Sequence, residues 1–394
     1  MSEYLPDVIV EDILRRLPLR SIGKCMLVCK AWNIIIKSHT FTFSHLQHSL
    51  SNPSSPMVIM GTRSRSYKKQ DEFSLCSSFS SFPRIENIKH SLPNPNYAAS
   101  LLQSVGAING VVCLYNLDLE YIYITDNIIL WNPLIDRHLK LPTPLFTFKN
   151  LYKAGLGFGF DSKKNDFKLL RIVYPIPPTG WDDTPQKEKK GDEFFSWIPK
   201  VELYSLNEGA WRVIDDDDDD DSSSHGLLRR KISEKTPCFF NGNVHWIAYD
   251  KYGISDFILI FNMVEEKFNR MELPEEVKIF RSWESLDVSV IEDCLSLIEY
   301  IGGSDWAVQR CNIWMKRESW NKVYSVYLED GIIKVLGLNR SSEVLVVTMQ
   351  QRKSFHFVDL KKSMGVKDIR IKTSTHAWAY DYTESLLFLD KENN

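Results

Sequence analysis

ILWNPLIDRHLKLP, residues 129–142, has three relatives in the same 394-residue chain. ELYSLNEGAWRVI (202–214), LIFNMVEEKFNRMELP (259–274) and NIWMKRESWNKVYSV (312–326) share its plan. In each, an apolar run ends in an aromatic residue, a polar turn follows, and a second bulky residue opens a short tail. Trp131 to His138, Tyr204 to Trp211 and Phe261 to Phe268 are each seven residues apart, and Trp314 to Trp320 six. A looser fifth copy is SFHFVDLKKSMGVKDIRI, 354–371. Short apolar, β-branched and aromatic runs punctuated by Asn, Gly, Asp and Pro read as antiparallel strands joined by tight turns.

A further strand-pair signal precedes these copies: INGVVCLYN from 108, FNGNVHWIAYD from 240, IEDCLSLIEY from 291 and SSEVLVVTM from 341. Unit starts near 109, 157, 241, 293 and 343 give a period near 50, broken by one gap of 84 residues. That gap holds two insertions, 175–199 and 215–233. A period of this size in a β-rich chain indicates a kelch-like propeller. The expectation is a mainly β protein with about six blades, seven being the alternative. The terminal strands, MVIM from 57 and HAWAYDYTESLLFLD from 376, would close the ring. Beyond residue 100 the NG, LWNP, GFGFD and VELYS blocks resemble, in order, the kelch-like F-box-associated domain of plant F-box proteins.

The first forty residues differ. In LPDVIVEDILRRLP (5–18), Val10, Ile13, Leu14 and Leu17 fall at i, i+3, i+4 and i+7, one stripe of a helix. Pro6 and Asp7 suit its start, Arg15 and Arg16 its end, and Pro18 stops it. Second and third helices are expected through RSIGKCMLV and CKAWNIIIKS. Twenty of the thirty-three residues from Tyr4 to Ile36 are apolar, too many for so small a unit to enclose alone. Part of that surface must dock, on the rest of the chain or on another protein.

The matches Leu5-Pro6, Ile9, Ile13-Leu14, Leu17-Pro18, Ile22, Val28-Cys29-Lys30 and Trp32 resemble an F-box in register. The small α N-terminal domain is thus expected to be a three-helix F-box over 1–45, followed by a Ser/Pro-rich linker, 46–56, and a propeller, 57–394. The resemblance implies a Skp-type adaptor as partner and, through it, a cullin scaffold. It places Leu5, Pro6, Ile9, Ile13, Leu14, Leu17 and Pro18 toward the adaptor, with Val28 and Trp32 building or extending that surface. Gly23 stands where the family more often has a larger residue. The function implied is substrate recognition for an SCF-type ubiquitin ligase, with an unknown protein as target. The alternative is a propeller scaffold that acts without ubiquitin transfer, and a carbohydrate-active propeller stands further off.

Charge and composition narrow the field. The 48 basic and 51 acidic residues give −3; without Asp215 to Asp221 the balance is 48 against 44. No basic stripe interleaved with aromatics points to nucleic acid. RSRSYKK (63–69) reads as an exposed loop. Seven scattered cysteines suggest reduced thiols in a cytoplasmic or nuclear protein, and no apolar run is long enough to span a membrane.

No cofactor or metal site is expected. Cys25 and Cys29, four apart, would need two more ligands to hold a metal. GLGFGF (155–160) has glycines alternating singly with apolar residues and reads as a hairpin, not a nucleotide loop. His245 reads as a blade-strand residue, and Trp131, Trp211, Trp246 and Trp320 as blade packing before ligand contact. The run IDDDDDDDSSSHG (214–226) reads as a solvated loop between repeats, because like charges repel and extend. The weaker readings are a phosphorylated or partner-attracting loop and a cation site.

Overall fold

A computed structural model describes residues 6–51, 57–62, 72–77, 84–92, 100–118, 123–147, 152–175, 199–214, 227–228, 230–233, 235–249, 254–277, 285–302, 308–337, 343–348, 354–361, 365–372 and 377–389. The linker residues 52–56, the basic tract, most of both insertions and the whole aspartate run therefore lie outside the described residues.

Four helices open the chain, where three are expected: α1 Asp7–Arg15, α2 Leu19–Cys25, α3 Lys30–Lys37 and α4 His39–Ser51. The fourth arises at Ser38, which leaves the helical region at ψ 141° and ends α3. Its Oγ then accepts the Phe41 N–H at 3.2 Å, the capping bond that starts a new helix. α4 buries Phe41, Thr42, His45 and Leu46, a stripe half polar and therefore unreadable as an amphipathic pattern. It also runs through the boundary drawn at residue 45.

Among the described residues all strand pairing is antiparallel, in five sheets. Sheet I has the order Trp378–Tyr382, Met57–Thr62, Glu72–Ser77, Arg84–Ile88. Sheet II follows the chain from Ser100–Ile108 through Val111–Asp118 and Tyr123–Asn132 to Arg137–Lys140. Sheet III does the same with Tyr152–Asp161, Asp166–Pro175, Lys200–Ser205 and Ala210–Val213. In sheet IV, Lys231–Ile232 and Cys238–Phe240 both pair with Asn243–Tyr249, and Ser255–Asn262 and Lys267–Glu272 follow. Sheet V has seven strands: Leu286–Ile291, Cys294–Ile301, Val308–Lys316, Trp320–Leu336, Glu343–Thr348, Ser354–Asp359 and Gly365–Lys372.

The expectation of about six blades is corrected to five. Asp330-Gly331 has the composition of a turn, yet Trp320–Leu336 runs on through it as one 17-residue strand. Residues 320–327 pair with Arg310–Lys316, Ile332 pairs with both Val308 and Thr348, and 334–336 pair with Leu345–Val347, so two repeat units fuse into sheet V. Gly331, at φ 75°, bends the strand without ending it. The ring closes as expected: Trp378–Tyr382, near the C-terminus, pairs with Met57–Thr62 over five residues.

The register explains the seven-residue spacing. Trp131 faces His138, Tyr204 faces Trp211, and Phe261 faces Phe268 across their hairpins. The last two pairs bring their rings to 5.4 and 4.8 Å. In the fourth copy a register shift after Ile313 sets Trp314 opposite Lys322 and Trp320 opposite Lys316, hence a spacing of six. The hairpins at 109–110, 241–242 and 292–293 each hold two consecutive left-handed residues, the turn that suits the twist of paired strands.

Neighbouring sheets clasp each other through their faces. Leu170, Ile172 and Leu203 of sheet III share a core with Val244, Trp246 and Phe261 of sheet IV. The indole N–H groups continue the pattern: Trp211 donates to Pro142 O (2.8 Å), Trp246 to Leu156 O (3.1 Å) and Trp320 to Glu272 O (2.9 Å), each time onto the preceding sheet. The glycines of GLGFGF are the counterpart of this packing. A Cβ on Gly157 would stand 2.3 Å from the Trp246 ring, and one on Gly155 2.0 Å from Ile232. Ionic contacts cross the same seam. Lys168 Nζ, buried, reaches Asp161 Oδ2 at 2.7 Å, Met263 O at 2.8 Å and Glu266 Oε1 at 2.8 Å.

Candidate interaction face

The inner side of the helical unit is a small core. Val10, Leu14, Leu19, Ile22, Ile36 and Phe41 pack together with Leu386 from the C-terminal segment, and Leu134 and Ile135 of the 129–142 repeat pack on them. α4 extends this contact: Leu46 joins the core shared by sheets II and III, and Phe43 stacks on Phe160 with centroids 6.4 Å apart. Much of the surplus apolar surface read from the sequence thus docks on the propeller.

The outer side does not. Ten large hydrophobic residues are exposed among the described residues, and six of them fall between positions 8 and 34. They are Val8, Ile9 and Ile13 on α1, Leu27 and Val28 in the turn after α2, and Ile34 on α3. Leu27 is 86% exposed, Val8 77%, Ile34 71% and Val28 63%, against 1% for Leu14. Leaving so much apolar surface in water is unfavourable by about 1.5 kcal/mol or more per side chain relative to burial, which is the usual mark of a partner surface.

The backbone that displays these residues is held. Leu27 and Val28 donate their N–H groups to Lys24 O and Cys25 O, both at 3.1 Å. Asn33 Nδ2 donates to Met26 O at 3.1 Å, tying α3 to the same turn. At the other end, the His45 ring is 3.2 Å from Leu17 O, which fixes α4 against the end of α1. Burial holds the His45 pKa below its ordinary value despite that bond, so the ring is neutral at physiological pH.

Of the nine residues assigned from sequence, Pro6, Ile9, Ile13, Pro18 and Val28 are exposed. Leu14 is in the helical core, and Leu17 and Trp32 are half-buried against it. Leu5 lies outside the described residues. Sequence reasoning missed Val8, Leu27 and Ile34. Their signal was present: at 3.6 residues per turn Val8 lies more than about 100° around α1 from Val10 and Leu14, so an apolar residue there cannot join the inward stripe.

The other candidates resolve into packing. Trp131, Trp211 and Trp246 are buried, and Trp320 is partly so. His245 is buried, its Nδ1 3.1 Å from Cys238 O. Burial lowers its pKa to about 4, with the hydrogen bond opposing. Cys25 is half-buried and Cys29 exposed, and no group of three His, Cys, Asp or Glu side chains positioned for a metal occurs among the described residues. No helix among them is long and apolar enough to cross a membrane.

A helical unit with an exposed apolar face, set on a closed ring of antiparallel sheets, defines an interaction protein built from two modules. Residues 3–44 match the F-box domain, and residues 57–387 match the F-box associated beta propeller domain. The chain belongs to the F-box proteins that carry this propeller. Similar proteins of Arabidopsis thaliana include F-box protein At3g07870, 24% identical over 84% of this chain and 75% of its own length. F-box/kelch-repeat protein At3g23880 is 24% identical over 94% of both chains, and F-box protein CPR1 22% identical over 98% of this chain and 89% of its own. The two domains together imply a substrate-adaptor role in SCF-type ubiquitin ligases, and the F-box indicates binding to a Skp-type adaptor. F-box proteins with propeller domains are generally non-catalytic adaptor subunits.

Proposed function

We propose that this chain is the substrate-recognition subunit of an SCF-type cullin ubiquitin ligase, and that Val8, Ile9, Ile13, Leu27, Val28 and Ile34, with Pro6 and Pro18 beside them, form the face that takes the Skp-type adaptor. The observation that carries the reading is the division of the helical unit: these side chains are exposed while Leu14, Ile22 and Ile36 hold the unit together. Leu5 belongs to the same face by its place in the F-box motif. Leu14 is reassigned from contact to support, and Leu17 and Trp32 act mainly as packing behind the face. The propeller presents loops to a target protein, and ubiquitin transfer follows from proximity, because holding the target beside a charged conjugating enzyme raises the effective concentration of its lysines. The chain itself supplies no nucleophile or general base to the transfer.

Purification of the full chain with a Skp-type adaptor and a cullin tests this. Leu27→Glu and Val28→Glu each place a charge where the adaptor would bury an apolar side chain, and each should weaken the complex at least about tenfold with the melting temperature unchanged. Wild-type affinity in both variants would move the adaptor site elsewhere. In cells the Leu27→Glu, Val28→Glu double variant, which leaves the helices seated on the propeller, should raise the abundance of the propeller's partners; unchanged abundance would make the chain a scaffold.

A further inference from the structure

A cavity of about 180 Å³ lies where the five sheets meet, with walls from every one of them: Tyr380 of sheet I, Ala107 of sheet II, Phe158 of sheet III, Cys238 of sheet IV, and Val288 and Lys334 of sheet V. A space bordered by every blade is the axis of the ring. It has room for about six waters at liquid density. Most of its wall is apolar, and no described residue of the helical unit lines it.

One charged group in this wall lacks an ion pair with a described residue. Lys334 Nζ carries three donors, and among the described residues it makes one long hydrogen bond, 3.4 Å to Thr236 Oγ1. The acids nearby are committed elsewhere. Asp287 takes Lys235 Nζ at 3.2 Å on Oδ1 and the Tyr300 hydroxyl at 2.8 Å on Oδ2. Tyr300 is fixed in turn by the Val335 N–H at 2.9 Å, and Lys235 by Leu286 O at 3.1 Å and the Tyr300 ring at 5.0 Å. Asp381, the other carboxylate in the wall, has interactions of its own. Burial, reinforced by Lys235 and opposed by Asp287, lowers the Lys334 pKa, the signature of an ammonium short of counter-charge.

We propose that the axial cavity is a binding site for a small organic carboxylate, whose oxygens accept hydrogen bonds from Lys334 and Thr236 while its apolar body lies against Phe158 and Ala107. The single ammonium suits a monoanion; a phosphate dianion would require several converging donors. An apolar body matches the remaining wall, and the volume matches an acid about the size of benzoate. The site is distinct from the helical face, so the proposal does not depend on adaptor binding.

Isothermal titration of the full chain with acetate, benzoate, 2-naphthoate and inorganic phosphate tests it, with benzamide as the uncharged analogue of benzoate. Benzoate should bind saturably at one site per chain, benzamide should not displace it, and Lys334→Met should weaken it at least about tenfold while Lys334→Arg restores most of the affinity. A reading that needs no variant is the rate at which trinitrobenzenesulfonate modifies Lys334, followed by peptide mapping; benzoate should slow it. Absence of saturable binding by every carboxylate, unchanged affinity in folded Lys334→Met, preference for phosphate, or no protection of Lys334 would each overturn the assignment.

Discussion

Gly157→Ala tests the reasoning about how the blades are held. A methyl at this position would lie 2.3 Å from Trp246 Cζ2, 2.8 Å from Cη2 and 3.1 Å from Val244 Cγ1. Carbon atoms at rest sit about 3.5 Å apart or more, so the indole must retreat by roughly 1 Å. It has little freedom to do so, since Trp246 is buried in the core between sheets III and IV and anchored by its 3.1 Å bond to Leu156 O. Overpacking of this kind costs about 1–3 kcal/mol, and loss of the indole bond adds about 1 kcal/mol. The expected destabilisation is therefore about 2–4 kcal/mol, read as a lower urea midpoint with the transition slope unchanged. A double-mutant cycle makes the cause specific. In a Trp246→Leu background the methyl has room, so Gly157→Ala should cost less than about 1 kcal/mol there, a coupling of 1 kcal/mol or more. Equal costs in the two backgrounds, or a wild-type midpoint for Gly157→Ala, would refute the account of GLGFGF as a seam.

Two further outcomes concern ionisation. The buried ring of His245, with its pKa lowered to about 4, favours the folded state when neutral, so its contribution is fully present above about pH 6.5 and declines as the pH falls toward 4. Stability should fall by about 2 kcal/mol between pH 7 and 5 on this account, and His245→Gln should flatten that part of the urea-midpoint curve; an unchanged pH dependence would contradict it. Lys168→Met leaves the Asp161 and Glu266 carboxylates without their shared ammonium and should cost about 3–5 kcal/mol at pH 7. Burial works against both carboxylates, but the hydrogen bond and charge of Lys168, joined by the Lys163 and Lys164 N–H groups at Asp161 and by Arg212 at Glu266, together outweigh it and hold their pKa values below the ordinary range. The deficit should therefore shrink as the acids protonate below about pH 4, and an equal deficit at pH 7 and 3.5 would show that the pairing is not its source.

The propeller was legible because its repeat is a register. A residue and the one seven later face each other across a hairpin, so Tyr204 and Trp211 had to recur together for the sheets to pack. The fused sheet was not legible, because Asp330-Gly331 has the composition of a turn, and whether such a pair ends a strand or only bends it depends on what the next strand offers for pairing. In the helices, periodicity identified a stripe but not its partner. Leu14 and Ile13 are neighbours on that stripe, and which of them meets the propeller depends on Leu134, Ile135 and Leu386, more than a hundred residues away. Lys334 gave no signal at all. In GIIKVLG a lysine at an alternate strand position looks like any solvent-facing residue, and only closure of the ring turns that face inward.

The repeat at 129–142 has a second task besides forming a blade. Asn132, at its centre, is buried and donates from Nδ2 to Ser385 O and Leu387 O, both at 2.9 Å, while its Oδ1 lies 3.3 Å from the Tyr382 hydroxyl. The same turn offers Leu134 and Ile135 to the helical core, where they meet Leu386. Leu387 and Phe388 enter the core between sheets II and III, with Phe388 held at φ 72°, a conformation that a bulky residue keeps only when its surroundings impose it. The segment 383–389 thus follows the strand that closes the ring, binds sheet II and seats the helices. A receptor that acts by proximity needs its adaptor-facing surface and its target-facing loops in a fixed relation, since effective concentration falls steeply when the geometry wanders. The Ser/Pro-rich residues 52–56 join the two modules in sequence, but the side chains that determine their relative placement are Leu134, Ile135 and Leu386, held by Asn132, together with Phe43 and Leu46 of α4. A substitution at Asn132 would then act on the ring closure and on the helical face together.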